Sequence, residues 1–473
     1  MPEEPRRPRI AENPDDVGRQ DRLTVEADTA VPSAALVRRG WMASTFESFR
    51  YRDFTLFWSG ALVSNVGTWM QNAALAIVVY ALQPAQASLN TGIVQGVAGL
   101  PVLFLAIPAG AVADRVDRRK LLIWIQVVLL LQAAAVGVLY DTKVLSPVRP
   151  VLSLFLVASL GLVAGIFVAF QGPAFQSILP DLVPRASLMN GIALNSAQLQ
   201  SSRMLGPAIV AGMVLLGTGM GLVFYINALS FLFVIAALLA IKPRAEFRAG
   251  HAAGASGPET AEVTSAWRTL TAGIAYARGH SAIGVLILTT ALLVFLGFPY
   301  VIILTAIIHA RFGGAESEVA RLYSWVYTAN GAGALIGALG IAGLPATIRR
   351  NRVIPLTLLA FSALIIAFSL APTLPVMIVC SVLAGAAYIA TSSLIMTSIQ
   401  SAVPGHLRGR VMALFMMSFM GVMPLSAFAF GPLGQAIGPD TAVLVGGVLL
   451  FAWAALLALR PAWLDAMPPA GHV

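Results

Sequence analysis

Twelve mostly apolar stretches, each long enough to cross a bilayer, follow one another between Phe54 and Leu459. A span needs roughly 17 to 25 such residues to cover about 30 Å of hydrocarbon. No other feature restricts the fold as strongly, because backbone polar groups in lipid have no water to bind and each stretch must therefore be helical. Hydrophobic residues make up 58% of the chain and charged residues 11%, too little polar surface for a soluble globule of 473 residues. The expectation is an all-α membrane protein with twelve transmembrane helices.

Charge orders these spans. The connections after even-numbered spans hold fifteen Lys and Arg, those after odd-numbered spans hold four (Lys143, Arg149, Arg311 and Arg321), and nine more arginines precede the first span. Positive charge collects on the cytoplasmic side, so both termini are expected there, in a multi-pass protein of the cell (inner) membrane. The basic residues follow topology rather than forming one basic domain, which argues against nucleic acid as a partner. Residues 1–45 are rich in Pro, Arg, Asp and Glu without an apolar core, so they read as a disordered cytosolic tail and not as a signal peptide. The single Cys380 lies inside an apolar span and excludes an internal disulfide.

The two halves repeat. QSILP from Gln176 recurs as QSAVP from Gln400, Gly206-Pro207 recurs as Gly431-Pro432, and Tyr51 has its counterpart at Tyr276, at offsets of 224 or 225 residues. Three matches at one offset argue for a duplicated six-helix unit, giving two pseudo-symmetric six-helix bundles over 46–241 and 281–460. The linker, 242–280, is polar at first and then amphipathic, with Trp267, Leu270, Ile274 and Ala277 on one face; residues 461–473 form a cytosolic C-terminal tail. Glycine pairs Gly92/Gly96, Gly161/Gly165 and Gly333/Gly337 have the spacing of close helix crossings.

Between spans 2 and 3 the chain reads GAVADRVDRRK, with six charges in the seven residues Asp114 to Lys120. A two-by-six architecture carrying Gly110, Asp114, Arg115, Arg118 and Arg119 in the pattern Gly-x-x-x-Asp-Arg-x-x-Arg-Arg resembles the major facilitator superfamily. RYRDFTLFWSGALVSNVGTWMQ, RMLGPA, INALSF and the segment from Gln400 to Val411 resemble its drug and siderophore exporter branch, related to enterobactin exporters and multidrug efflux pumps. The resemblance implies a secondary transporter working by alternating access and exporting an amphipathic small molecule. It also implies that this loop is a gating latch, with Asp114 and the arginines tying the first half to the start of span 11 near Arg408 and Arg410. The bland alternative for Arg119 and Lys120 is anchoring at the membrane surface. An importer of the same fold and a non-transporting receptor or assembly factor remain open.

A charged group at bilayer depth costs about 2.5 to 3.5 kcal/mol on insertion scales, which singles out Arg203, midway along span 5. Just before Gly206-Pro207, it faces an anionic substrate, carbonyls freed by Pro207 or a neighbour's polar side chain, or it caps or pins the helix against span 1 or span 8. Asn65, Trp69 and Asn72 share a face of span 1; Asn195, Gln198 and Ser202 share one in span 5; Gln171 ends span 4. With Phe298 and Tyr300 beside Pro299 in span 7, they are the candidate cavity residues. Their competing reading is helix packing. Gly206, Pro207, Gly431 and Pro432 are assigned to kinks or packing.

No carboxylate lies within a span, and Val168 stands where the resembling family has an arginine ahead of Gln171-Gly172, which puts conventional proton antiport in doubt. A proton as coupling ion stays open. The three lysines form no phosphate-binding loop, and the sequence has no His-Glu-x-x-His or Gly-x-Ser-x-Gly. No catalytic residue, metal or cofactor is expected, and the expected partners are a small molecule and the lipid bilayer, with the chain a monomer.

Overall fold

The computed structural model describes residues 46–242, 266–342 and 349–464. The expected tails over 1–45 and from 465 lie outside the described residues, as does the first part of the linker, 243–265. So do the side chains of Asp114, Arg115, Trp267 and Leu270 and the surroundings of Gly110.

Six long helices form the first half: α1 (Arg52–Leu82), α2 (Ala87–Arg115), α3 (Arg118–Asp141), α4 (Pro150–Ile178), α5 (Arg185–Leu215) and α6 (Met220–Ala240). An amphipathic helix α7 (Ala266–Gly279) leads into the second half. There span 7 is divided into α8 (Ser281–Gly297), α9 (Pro299–Ile302) and α10 (Leu304–Phe312), followed by α11 (Glu316–Ala342), α12 (Arg350–Ser369) and α13 (Leu374–Ala402). Span 11 comprises α14 (Gly405–Met416), a π turn over Met417–Gly421, and α15 (Val422–Ile437), and α16 (Pro439–Leu459) ends the array.

Local chemistry explains several boundaries. The Asp117 carboxylate accepts from the backbone N–H groups of Arg119 and Lys120 and starts α3, so this acid in the charged loop is a helix cap. Pro150, Pro375 and Pro439 stand in the first turns of their helices, where a missing N–H is harmless. Pro299 divides span 7 because it cannot donate into the preceding turn. By contrast, α5 and α15 run on through Pro207 and Pro432, so those prolines do not end their helices.

Among the described residues ten stretches are long and apolar enough to cross a membrane by length and composition. Of the twelve expected crossings, α5 and α11 fall outside that set although they have 31 and 27 residues. Their polar faces explain this: α5 carries Gln198, Ser202 and Arg203, and α11 carries Ser324 and Asn330, all buried against other helices rather than turned to lipid.

The packing repeats with the sequence. Within the first half α2 lies on α4, α1 on α5 and α6, and α3 on α4 and α6; the second half repeats this as α11 on α13, α8 on α15 and α16, and α12 on α13 and α16. Two seams join the halves, α2 against α15 and α5 against α11. The glycine pairs mark these crossings as expected: Gly161 and Gly165 face Ala98 of α2, Gly333 and Gly337 face Val382 and Ala386 of α13, and Gly92 and Gly96 face Ala427, Phe428 and Gly431 of α15. Of the linker helix, Gly273 meets the Arg410 carbonyl and Ala277 packs with α8, so α7 is braced against the second half.

Candidate functional site

Midway along α5, Arg203 is 8% exposed and reaches across the α5–α11 seam, where its Nη2 donates to Asn330 Oδ1 at 2.9 Å. Its guanidinium lies 5.7 Å from the centre of the Trp69 ring of α1, within cation–π range. Asn330 in turn donates through Nδ2 to the Tyr300 hydroxyl and, at 3.4 Å, to the Ser381 carbonyl of α13. Tyr327, one turn before Asn330 on α11, meets Trp69 edge-on with ring centroids 6.3 Å apart. Tyr388 of α13 carries the aromatic surface on to Phe298 and Phe361. The backbone lets these helices close in: a methyl at Gly206 would sit 2.8 Å from Met70 N, and one at Gly331 2.6 Å from Met204 Cα.

Arg203, Trp69, Tyr300 and Phe298 therefore share one cluster, built from both halves. Arg203 touches residues of both span 1 and span 8, the contacts its packing alternative calls for. Other candidates stand apart. Gln198 is 1% exposed, and neither atom of its amide has a partner among the described residues. Asn65 and Gln171 are half-buried and Asn72 is exposed, with no hydrogen bond joining them to the cluster. A neighbouring residue of α1 that does bridge helices is Gln71, which donates to Gln132 of α3 at 3.1 Å and accepts from Asn227 of α6 at 2.8 Å. It belongs to packing within the first half.

Asn330, Tyr327 and Tyr388 were not among the sequence candidates. A signal for two of them existed: Tyr323, Tyr327 and Asn330 recur at i, i+4 and i+7 in span 8, the same kind of stripe that marked Trp69 in span 1.

Arg118 and Arg119 of the charged loop find their partners within the first half. Arg118 donates to the Ser177 carbonyl at 2.8 Å and lies 4.0 Å from Asp181, while Arg119 donates to the Leu239 carbonyl at 2.6 Å. These partners are the C-terminal ends of α4 and α6 in the same half, not span 11. Unsatisfied carbonyls make a helix C-terminus negative, and the two arginines at the start of α3 each meet one such end directly. Arg350 repeats the arrangement in the second half, donating to Thr397 O and Ser401 Oγ of α13. Arg408 is exposed and Arg410 half-buried at the start of α14.

At the opposite end of the bundle, the face distal to the first and last described residues, the halves are joined. Tyr80 of α1 shares a 2.8 Å hydrogen bond with His309 Nδ1 of α10, Ser88 of α2 donates to Gly431 O at 3.0 Å, and Gln435 donates to Ala85 O at 2.9 Å. Residues 299–308 are all buried across this face. Among the described residues no group of three or more His, Cys, Asp or Glu could hold a metal ion.

A protein with two repeated helical halves meeting around a buried polar cluster has the layout of a transporter, and its sequence agrees. The profile of the family described as transmembrane secretion effector, within the major facilitator superfamily, matches residues 43–467. The chain belongs to this family. It is 27% identical over 407 residues to the uncharacterized MFS-type transporter YfiS of Bacillus subtilis (strain 168), covering 82% of this chain and 88% of that protein. It is 25% identical over 392 residues to the multidrug efflux pump Tap of Mycolicibacterium fortuitum, again 82% and 88% of the two chains. A third relative is the staphyloferrin A transporter of Staphylococcus aureus (strain NCTC 8325 / PS 47), 27% identical over 264 residues, 56% of this chain and 61% of that one. Among solved structures, a D-xylose–proton symporter superimposes with a TM-score of 0.64 at 11% identity, covering 88% of this chain and 98% of that one. A bacterial homologue of the human lysosomal transporter Spinster, in an inward-facing and occupied conformation, gives 0.58 at 17% identity, covering 88% and 96%. This major facilitator protein is thus a multi-pass membrane transporter, not an enzyme.

Proposed function

We propose that this transporter exports an amphipathic small molecule from the cytoplasm by alternating access, the moving units being 46–241 and 281–460. The basic connections support a cytoplasmic position for the face that carries both termini, which makes the distal face the outer one. The observation that carries the reading is the Trp69–Arg203–Asn330–Tyr300 cluster, built by both halves at mid-depth, with the outer side sealed beyond it. A molecule bound there contacts both moving units, so its binding energy can bias their relative orientation. Three hydrogen bonds, Tyr80–His309, Ser88–Gly431 and Gln435–Ala85, close the outer seam; each contributes roughly 0.5 to 1.5 kcal/mol net, small enough to break and remake in each cycle. The opposite closure, at the cytoplasmic side, is assigned to Gly110, Asp114 and Arg115 at the end of α2 acting on the start of α14 near Arg408 and Arg410. The names of Tap and the staphyloferrin A transporter support export of a drug-like or siderophore-like molecule.

The test is accumulation of lipophilic dyes and antibiotics in cells lacking their main pumps, expressing the wild type or Asp114→Asn, with and without a proton uncoupler. Lower accumulation with the wild type alone is the expected result, and its loss on uncoupling would support a proton as the coupling ion. Equal efflux by Asp114→Asn would remove the latch from the cycle, and accumulation above the empty-vector level would reverse the direction to import.

A further inference from the structure

Donors and acceptors are out of balance in the central cluster. A guanidinium offers five N–H groups and no acceptor. In Arg203 one donor on Nη2 goes to Asn330, and Nε has no partner among the described residues. The Tyr300 hydroxyl accepts from Asn330 Nδ2, and among the described residues nothing accepts the proton of Tyr300, Tyr327 or Tyr388. All three phenols lie within electrostatic reach of Arg203. No described carboxylate pairs with this arginine: Asp53, Asp181, Glu318 and Asp440 pair with Arg52, Arg118, Arg321 and Arg311, all at helix ends. Among the described residues the Asn330 amide oxygen, a neutral acceptor, is the one hydrogen-bond partner of a cation that is more than nine-tenths buried.

We propose that the molecule taken up at this cluster carries an organic acid group, a carboxylate or its chemical equivalent, which pairs with Arg203 in place of Asn330 and accepts from the tyrosine hydroxyls. The proposal deepens the export reading by naming its substrate class, and rests on that reading only in calling the ligand a substrate. A negative group supplies both the charge and the acceptors that the cluster lacks. A cationic amphiphile of the same size supplies neither and meets the charge of Arg203. Displacing Asn330 also removes a tie between α5 and α11, so binding of the acid loosens one of the two seams between the halves.

The test uses the full chain purified in detergent and three fluorescent probes of one length: dansyl-labelled undecanoate, its methyl ester, and the corresponding dansyl-labelled undecylamine. The carboxylate is expected to bind about tenfold or more tightly than the ester, as charge-assisted hydrogen bonds require, with the amine weakest. Arg203→Gln should erase the difference between carboxylate and ester while leaving ester affinity in place, and Arg203→Lys should keep part of it. Asn330→Asp, which retains size and gives Arg203 an internal counter-ion, should weaken carboxylate binding and spare the ester; it carries the test if Arg203→Gln does not fold. The proposal is overturned if the wild type shows no saturable carboxylate binding, if carboxylate and ester bind alike, if the amine binds tightest, or if the preference for carboxylate survives both Arg203→Gln and Asn330→Asp. Because binding is read without transport, a carboxylate preference in a chain that fails to export any probe from cells would sink the export reading and leave the anion site standing.

Discussion

Replacing Gly92 by alanine places a methyl carbon 2.6 Å from both Ala427 O and Gly431 Cα, across the seam between α2 and α15. Carbon needs about 3.5 Å of separation, so the two helices must part by roughly 1 Å at this level. Neither neighbour is a side chain that can rotate away; both belong to the backbone of α15. Overpacking of this kind costs about 1 to 3 kcal/mol, and the strain exists only while the distal seam is closed. The closed-to-parted ratio should therefore fall by about 5- to 150-fold. The reporter is the rate at which a maleimide labels Ser88→Cys, with Cys380, the only native cysteine, replaced by serine. Ser88→Cys is present in both arms, so loss of its hydrogen bond to Gly431 cancels. Gly212→Ala is the control, because nothing lies within 4 Å of the methyl it would add. Gly92→Ala should label faster by the stated ratio, and Gly212→Ala should label like its parent. Equal labelling of a folded Gly92→Ala protein would refute the claim that this contact governs closure.

Three further outcomes follow from the packing. Gln71→Leu leaves Gln132 and Asn227 without their shared partner and should lower the stability of the first half by about 1 kcal/mol, read as a drop in thermal midpoint in detergent. Arg118→Ala and Arg350→Ala each remove a clip onto the end of the following helix and should each reduce stability by up to about 1 kcal/mol; additive effects in the double variant would confirm that the clips act in separate halves. Tyr80→Phe and His309→Phe should each raise maleimide labelling at Ser88→Cys, with the double variant no more labelled than either one, since both lose the same hydrogen bond.

Much of this molecule is legible in the chain alone. Apolar length accounts for ten of the twelve expected crossings, and the repeat at 225 residues reappears as matching helix contacts in the two halves. Trp69 and Arg203 stood out because a stripe of polar groups and a lone cation are conspicuous against lipid-compatible residues. The uncharged partners were harder to find, since an Asn or Tyr within an apolar run reads equally well as packing. Asn330, Tyr327 and Tyr388 gain their meaning only from what faces them across a seam or along the neighbouring helix. Asn72 and Gln71 show the limit most sharply: adjacent in sequence, they diverge because successive residues on a helix point about 100° apart, and Gln71 turns into the contact with α3 and α6 while Asn72 is exposed.

The charged loop divides the same way. Its glycine, acids and bases were enough to place it between spans 2 and 3 on the basic side, because charge near a membrane is sorted by side. They were not enough to choose partners for Arg118 and Arg119. Those partners are backbone carbonyls at the ends of α4 and α6, which look like any other residue in a sequence and become acceptors only where a helix stops. Composition and periodicity thus determined that the chain spans the membrane as two related halves. The tertiary structure decided which polar groups meet, because hydrogen bonds and charge pairing depend on distances of a few ångströms between helices far apart in the chain.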